Sequence, residues 1–267
     1  MNIQITSLDG GVTKTPSASS IKMASGSGVV TSRALQASQD VLATTAGAGM
    51  VNFVDNGGPV LTNVDLLLIF WGSAWAGMAT PSAQDVANAV VNILSGPYMS
   101  ALSQYRGIGQ GKLSGAGIFS SFDPPSTFGD SDVINLISQL ISGGAVPAPG
   151  SDSQLLYCVF MPVGASFGTN SNVIGEHAYF TLSDGSKGHF GWVTNDGTLN
   201  SITSIFSHEL VEACTDPEGT AIQGMPGTCD QGGGWCEIGD VCEGSNTVVN
   251  GVVVQTYWSQ NSQGCVI

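Results

Sequence analysis

Residues 204–219 read SIFSHELVEACTDPEG, and the reading of this stretch decides how the rest of the chain is understood. Ile202, Ile205, Phe206, Leu210 and Ala213 recur at helical spacing through it. Asn200 or Ser201 is expected to cap the start. Pro217 stops the helix, and Asp216 before it is pushed toward extended backbone. On a helix, positions i and i+4 lie one turn apart on one face. His208 and Glu212 therefore point the same way, opposite the apolar stripe. That is the ligand spacing of HExxH zinc hydrolases, with Glu in place of the second His. Glu209 then takes the place of the general base. The competing reading is polar decoration on a wet helix face. It is weakened by the scarcity of such residues, since the chain holds three His and six Glu.

The surroundings suit a mixed sheet. VDLLLIFWG (64–72) is a short apolar run ending in Gly, a buried-strand pattern. Pro81 opens PSAQDVANAVVNIL, with Val86, Ala89, Val90 and Ile93 on one helical face. GAGIFSSF reads as a strand, DSDVINLISQLISGG as a helix with an acidic first turn, and QLLYCVFMPV as a third strand. HAYFTL and GHFGWVTN are strand-like, and TVVNGVVVQTYWSQ reads as a hairpin turning at Asn250-Gly251. Strand, helix, strand, helix, strand argues for crossover connections. The expected fold is α/β with an α+β tendency. It has a mixed central sheet with crossover helices, a zincin-like active-site helix and a Cys-rich C-terminal part. Residues 51–267 form the single domain. Residues 1–50 lack Phe, Trp and Tyr and are rich in Ser, Thr, Ala and Gly, which predicts a low-complexity tail or pro-segment.

Composition narrows the partners. Six Lys and Arg face twenty Asp and Glu, a net charge of −14. Such a chain repels phosphate backbones and anionic membrane surfaces, so neither nucleic acid nor membrane is expected as a partner. The longest apolar run is far short of the ~20 residues of a membrane span. Six Cys in a Lys-poor chain suggest disulfides and an oxidising compartment. MNIQITSLDGG at the start lacks the basic and apolar regions of a signal peptide.

A metal site needs more ligands than the helix supplies. CEIGDVCEG offers Glu237 and Asp240 between two Cys, Asp216 lies one turn beyond Glu212, and His177 in IGEHAYF offers a second imidazole. His177 is a ligand candidate or a hydrogen-bond donor to an oxyanion; His189 in GHFGW reads as a strand residue. A carboxylate-rich site acidifies bound water less than an all-His site and also admits calcium or manganese. Zinc is the expected cofactor and calcium the alternative. GASFG (164–168) matches the G-x-S-x-G pattern, but the residues after it do not form the helix a nucleophile elbow needs. A serine hydrolase at Ser166 is the weakest of the readings.

Five blocks, in order, carry a resemblance: GGPVLTNVDLLLIFWGSAW, GEHAYF, FSHELVEACTDP, EIGDVCEG and VQTYWSQNSQGC. From about residue 56 onward the chain resembles the EXORDIUM-like, or phosphate-induced, family of plant cell-wall proteins and their microbial relatives. The resemblance implies an extracellular or wall-associated protein. It selects His177, His208, Glu209, Glu212, Glu237, Asp240, Cys242 and Cys265, with Asp216 less secure. It also implies a Cys242–Cys265 disulfide; proximity ranks Cys229–Cys236 first among the remaining pairings. The expected function is metal-dependent hydrolysis of a peptide or cell-wall substrate. His208 and Glu212 are ligands, Glu237 or Asp240 completes the site, and Glu209 and His177 are catalytic. The alternative is a secreted binding or signalling protein whose calcium ion only staples the fold.

Overall fold

The computed structural model describes residues 5–7, 51–150, 153–168, 172–225 and 236–267. Along the chain, β1 (Ile5–Ser7) is followed by β2 (Phe53–Asp55), β3 (Asp65–Trp71), α1 (Ala83–Ser95), β4 (Lys112–Phe119) and β5 (Thr127–Phe128). Then come α2 (Asp130–Ser142), β6 (Leu155–Phe160), β7 (Ser166–Phe167), β8 (Gly175–Thr181), β9 (Lys187–Val193) and α3 (Leu199–Thr215). The C-terminal part holds β10 (Ile222–Gly224), β11 (Asn246–Val249), β12 (Val252–Gln255), β13 (Tyr257–Ser259) and β14 (Gly264–Val266).

The central sheet has the order β1-β4-β3-β6-β9-β8. Strands β4, β3, β6 and β9 run parallel, while β1 and β8 lie antiparallel at the two edges. The sheet is therefore mixed, with α1 and α2 as crossovers. Central strands of such sheets are buried on both faces, so they read as unbroken apolar runs. In β3, Leu66, Leu68 and Phe70 pack with α1 and α3, while Leu67, Ile69 and Trp71 pack with α2 on the opposite face. β6 divides the same way, Cys158 and Phe160 facing α3 and Tyr157 and Val159 facing α2. β1 takes three residues of the expected tail into the sheet; residues 8–50 lie outside the described residues.

The helix starts follow local chemistry. Ser82 caps α1: Asp85 N–H donates to Ser82 Oγ at 3.1 Å, and Ser82 N–H donates to Asp85 Oδ2 at 3.0 Å. The cap of α3 is Thr198, not Asn200 or Ser201. Asp196 Oδ1 accepts from Thr198 N–H at 2.8 Å and holds it extended, so Thr198 Oγ1 can accept from Ser201 N–H at 3.3 Å. Asn200 and Ser201 fall in the first turn.

The C-terminal part covers α3. The β11–β12 hairpin turns at Asn250 and Gly251, with φ of 50° and 80°, and packs β12 along α3. Gln255 N–H donates to Ser207 Oγ at 2.9 Å, and Tyr98 Oη donates to Gln255 O at 2.8 Å. A disulfide joins Cys242 to Cys265, while Cys158 and Cys214 are buried free thiols. The expected Cys229–Cys236 pairing falls on Cys229, outside the described residues. Among the described residues no helix is long and apolar enough to cross a membrane.

Candidate metal centre

The polar face of α3 is not wet. His208, Glu209 and Glu212 are 1%, 4% and 0% exposed, which removes the reading of surface decoration. Three pieces of chain bring the side chains together. α3 supplies His208, Glu209 and Glu212; the antiparallel edge strand β8 supplies His177; the loop ending in the Cys242 disulfide supplies Glu237 and Asp240. Two triads of donor atoms each fall within 4.8 Å: His177, Glu212 and Glu237, and His208, Glu209 and Glu212. Asp240 is the most open of the group, with 15% of its side chain exposed.

The separations matter. His208 Nε2 lies 3.1 Å from Glu212 Oε2 and 3.8 Å from Asp240 Oδ1. His177 Nδ1 lies 3.7 Å from Glu212 Oε2, and His177 Nε2 lies 3.4 Å from Glu237 Oε1. A charge-assisted N–H···O bond is about 2.7–2.9 Å. Donor atoms around a tetrahedral ion with bonds of about 2.0–2.1 Å stand about 3.3–3.4 Å apart. The 3.1 Å His208–Glu212 and 3.4 Å His177–Glu237 separations are longer than such a bond and near the tetrahedral spacing, so each pair could share an ion. His208 Nε2, Glu209 Oε1, Glu212 Oε2 and Glu237 Oε1 are buried with no hydrogen-bond partner among the described residues. Burying charged groups with incomplete hydrogen bonding costs several kcal/mol, and a cation among these atoms would offset that cost.

Burial, then the charges of Asp240 and Glu237, push the Glu212 carboxyl well above the usual carboxylate range. Burial also raises Glu237, and lifts Asp240 to about 6. Burial alone would lower the His177 pKa, but Glu237 and Glu209 outweigh it and hold the ring well above its ordinary value. Without an ion, the cluster stays balanced by keeping protons.

The remaining candidates are placed differently. Asp216 is committed elsewhere: Oδ1 accepts from Thr220 and Ala221 N–H, both at 2.6 Å, and Oδ2 from Gln223 at 2.8 Å. Its carbonyl oxygen, not its carboxylate, approaches His177 Nε2, at 3.4 Å. His189 is a β9 residue whose Nε2 pairs with Glu218 at 3.2 Å. Ser166 Oγ donates to the Ser126 carbonyl at 3.3 Å, and the next element is β8 rather than a helix.

Three residues at the site carry no signal of their own chemistry in the sequence. A Cβ on Gly239 would lie 2.7 Å from Glu212 Oε1 and 2.9 Å from His208 Nδ1. A Cβ on Gly175 would lie 2.5 Å from Ile205 Cγ2 and 2.7 Å from Glu209 Oε1. Both glycines let backbone press directly on the polar face of α3. The third is Gln255, whose carboxamide nitrogen stands 2.7 Å from His208 Nδ1 and 3.0 Å from the Gly239 carbonyl oxygen. A half-turn of the amide exchanges its nitrogen and oxygen. With nitrogen facing the ring, the ring proton sits on Nε2. With oxygen facing it, Nδ1–H donates and Nε2 keeps its lone pair for an ion. The Gly239 carbonyl favours the first state and a cation favours the second.

No protein-family model, curated protein or solved structure matches the chain.

Proposed function

We propose that the chain is a metal-dependent hydrolase of zinc-peptidase type, with a zincin-like helix acting on a peptide or cell-wall substrate outside the cell. The observation that carries this reading is the set of four buried ligand atoms, on His208, Glu209, Glu212 and Glu237, that no hydrogen bond among the described residues satisfies. His208 and Glu212 hold the ion, with Glu237, Asp240 and His177 at hand to complete its shell. A divalent ion held there would polarise a carbonyl oxygen and acidify water. Glu209 is the proton acceptor: His177 Nδ1 stands 3.3 Å from its Oε2 and orients the carboxylate, which leaves Oε1 for water. As the alternative to ligation, His177 serves as a donor to negative charge that develops on the substrate. The EXORDIUM-like resemblance supports an extracellular or wall-associated setting, and the disulfide is compatible with it.

The test is turnover of a degenerate fluorogenic peptide library and of cell-wall polymers. Activity should vanish on chelation, return with zinc and be absent in Glu209→Gln with the fold intact. Full turnover by that variant would remove Glu209 from the mechanism. A second reading is favoured by the near-complete burial of the donors: an ion, zinc or calcium, that only staples a secreted binding module. It predicts a large fall in melting temperature on chelation and no turnover of any substrate by the loaded protein.

A further inference from the structure

The donor set is larger than one ion needs. Glu209, Glu212 and Glu237 bring three carboxylates, and His177 and His208 two imidazoles, into two overlapping buried groups that share Glu212, and Asp240 adds a fourth carboxylate 3.8 Å from His208. One divalent ion offsets only two ionised carboxylates, so the other two would have to keep protons or pair with imidazolium. Two divalent ions match the four carboxylates in charge.

The geometry divides the donors accordingly. Glu212 Oε2 lies between the imidazoles, 3.1 Å from His208 Nε2 and 3.7 Å from His177 Nδ1. Its other oxygen is fixed, since Glu212 Oε1 accepts from Asp240 N–H at 3.1 Å. On one side of Oε2 stand His177 and Glu237. On the other stand His208 and Asp240, whose Oδ1 is 3.8 Å from His208 Nε2. Asp240 Oδ2 accepts from Glu237 N–H at 3.0 Å, and this aims Oδ1 at the ring. Each side has one imidazole, one carboxylate of its own from the disulfide-pinned loop, and the shared Glu212.

We infer that the cluster is a two-cation centre: one ion held by His177, Glu237 and Glu212, a second by His208, Asp240 and Glu212, with Glu212 Oε2 as the bridge. The inference rests on the proposal that the cluster binds metal. Glu209 stays outside both ligand sets, with a carboxylate oxygen within 4.8 Å of the His208 and Glu212 donors. Small, hard or borderline divalent ions such as zinc and manganese suit this mixture of nitrogen and oxygen.

Elemental analysis tests it on the full chain, stripped with chelator and reloaded with zinc or with manganese alone. The expected content is two ions per chain. Ions that share a carboxylate oxygen are close, about 3.5–4 Å apart in two-metal sites. The manganese-loaded protein should therefore show a spin-coupled electron paramagnetic resonance spectrum, which needs no variant. His177→Gln and His208→Gln should each keep one ion and show an uncoupled manganese signal, and Glu212→Gln should lose the coupling. One ion per chain, or two uncoupled ions, overturns the two-cation inference while the metal-centre reading stands. No bound ion overturns the metal-centre reading itself.

Discussion

Replacing Gly239 with Ala tests the architecture of the site more cleanly than replacing a ligand. The Gly239 backbone, at φ −73° and ψ −42°, is open to any residue, so Ala introduces no backbone strain. Its only penalty is steric. The new methyl would stand 2.7 Å from Glu212 Oε1 and 2.9 Å from His208 Nδ1, where ordinary contact begins near 3.4 Å. Neither neighbour can retreat easily, because Glu212 Oε1 is bonded to Asp240 N–H and the His208 ring is bonded to Gln255. Overpacking of this kind costs about 1–3 kcal/mol, and the loss of glycine's freedom in the unfolded chain returns about 0.4–1 kcal/mol. The expected net loss is about 1–2 kcal/mol, or a fall in melting temperature of about 2–8 °C for a domain of this size. Zinc affinity should fall with it, since the displaced atoms belong to Glu212 and His208. Differential scanning calorimetry and a zinc titration of the stripped protein read both effects. A variant with unchanged melting temperature and unchanged zinc affinity would show that the 237–240 loop does not press on α3 as described.

Other expectations concern the supports of the site. Serine at both Cys242 and Cys265 opens a loop with a sequence separation of 23, worth about 3 kcal/mol in chain entropy, and it frees the loop that carries Glu237 and Asp240. Denaturant melts should show that loss, and zinc retention should fall with it. Gln255→Leu should weaken zinc binding about 10–100-fold, as removal of a ligand's orienting partner does. Gln255→Glu, which can only accept from His208 Nδ1–H, should keep the affinity; equal weakening in both would remove Gln255 from control of the ring. Outside the donor cluster, the Arg106 guanidinium beside Asp55 holds that carboxyl down at about 2. A depressed acid contributes stability above its unfolded value near 3.9, and that contribution is lost as pH falls through about 2. Asp55→Asn should flatten this part of the acid-unfolding curve, by less than about 1 kcal/mol for so exposed a pair.

Much of this arrangement was legible in particular residues. The unbroken apolar run Leu66–Trp71 follows from burial on two faces, and the 3.6-residue spacing of α1 from burial on one. The pairing of His208 with Glu212 follows from helix geometry alone. The cap of α3 was misplaced by two to three residues, because an aspartate two positions upstream selects which hydroxyl can accept, and such local competition leaves no periodic trace. The all-round burial of α3 was not legible either. Its polar face is covered by β12, about forty residues later in the chain, and pairing over such distances is set by the whole fold. For the same reason Gln255 gave no sign of its contact with His208, and Asp216 read as a ligand although the 220–223 turn takes both its oxygens.

The order in which the parts leave the ribosome gives the covering hairpin a further meaning. His177 and the helix that carries His208 emerge well before Gln255 and Cys265. A nascent chain therefore presents its acidic hollow open to the surroundings before the roof exists to close it. An ion captured during that interval would enter without crossing the finished roof, so loading would be faster during folding than in the folded protein.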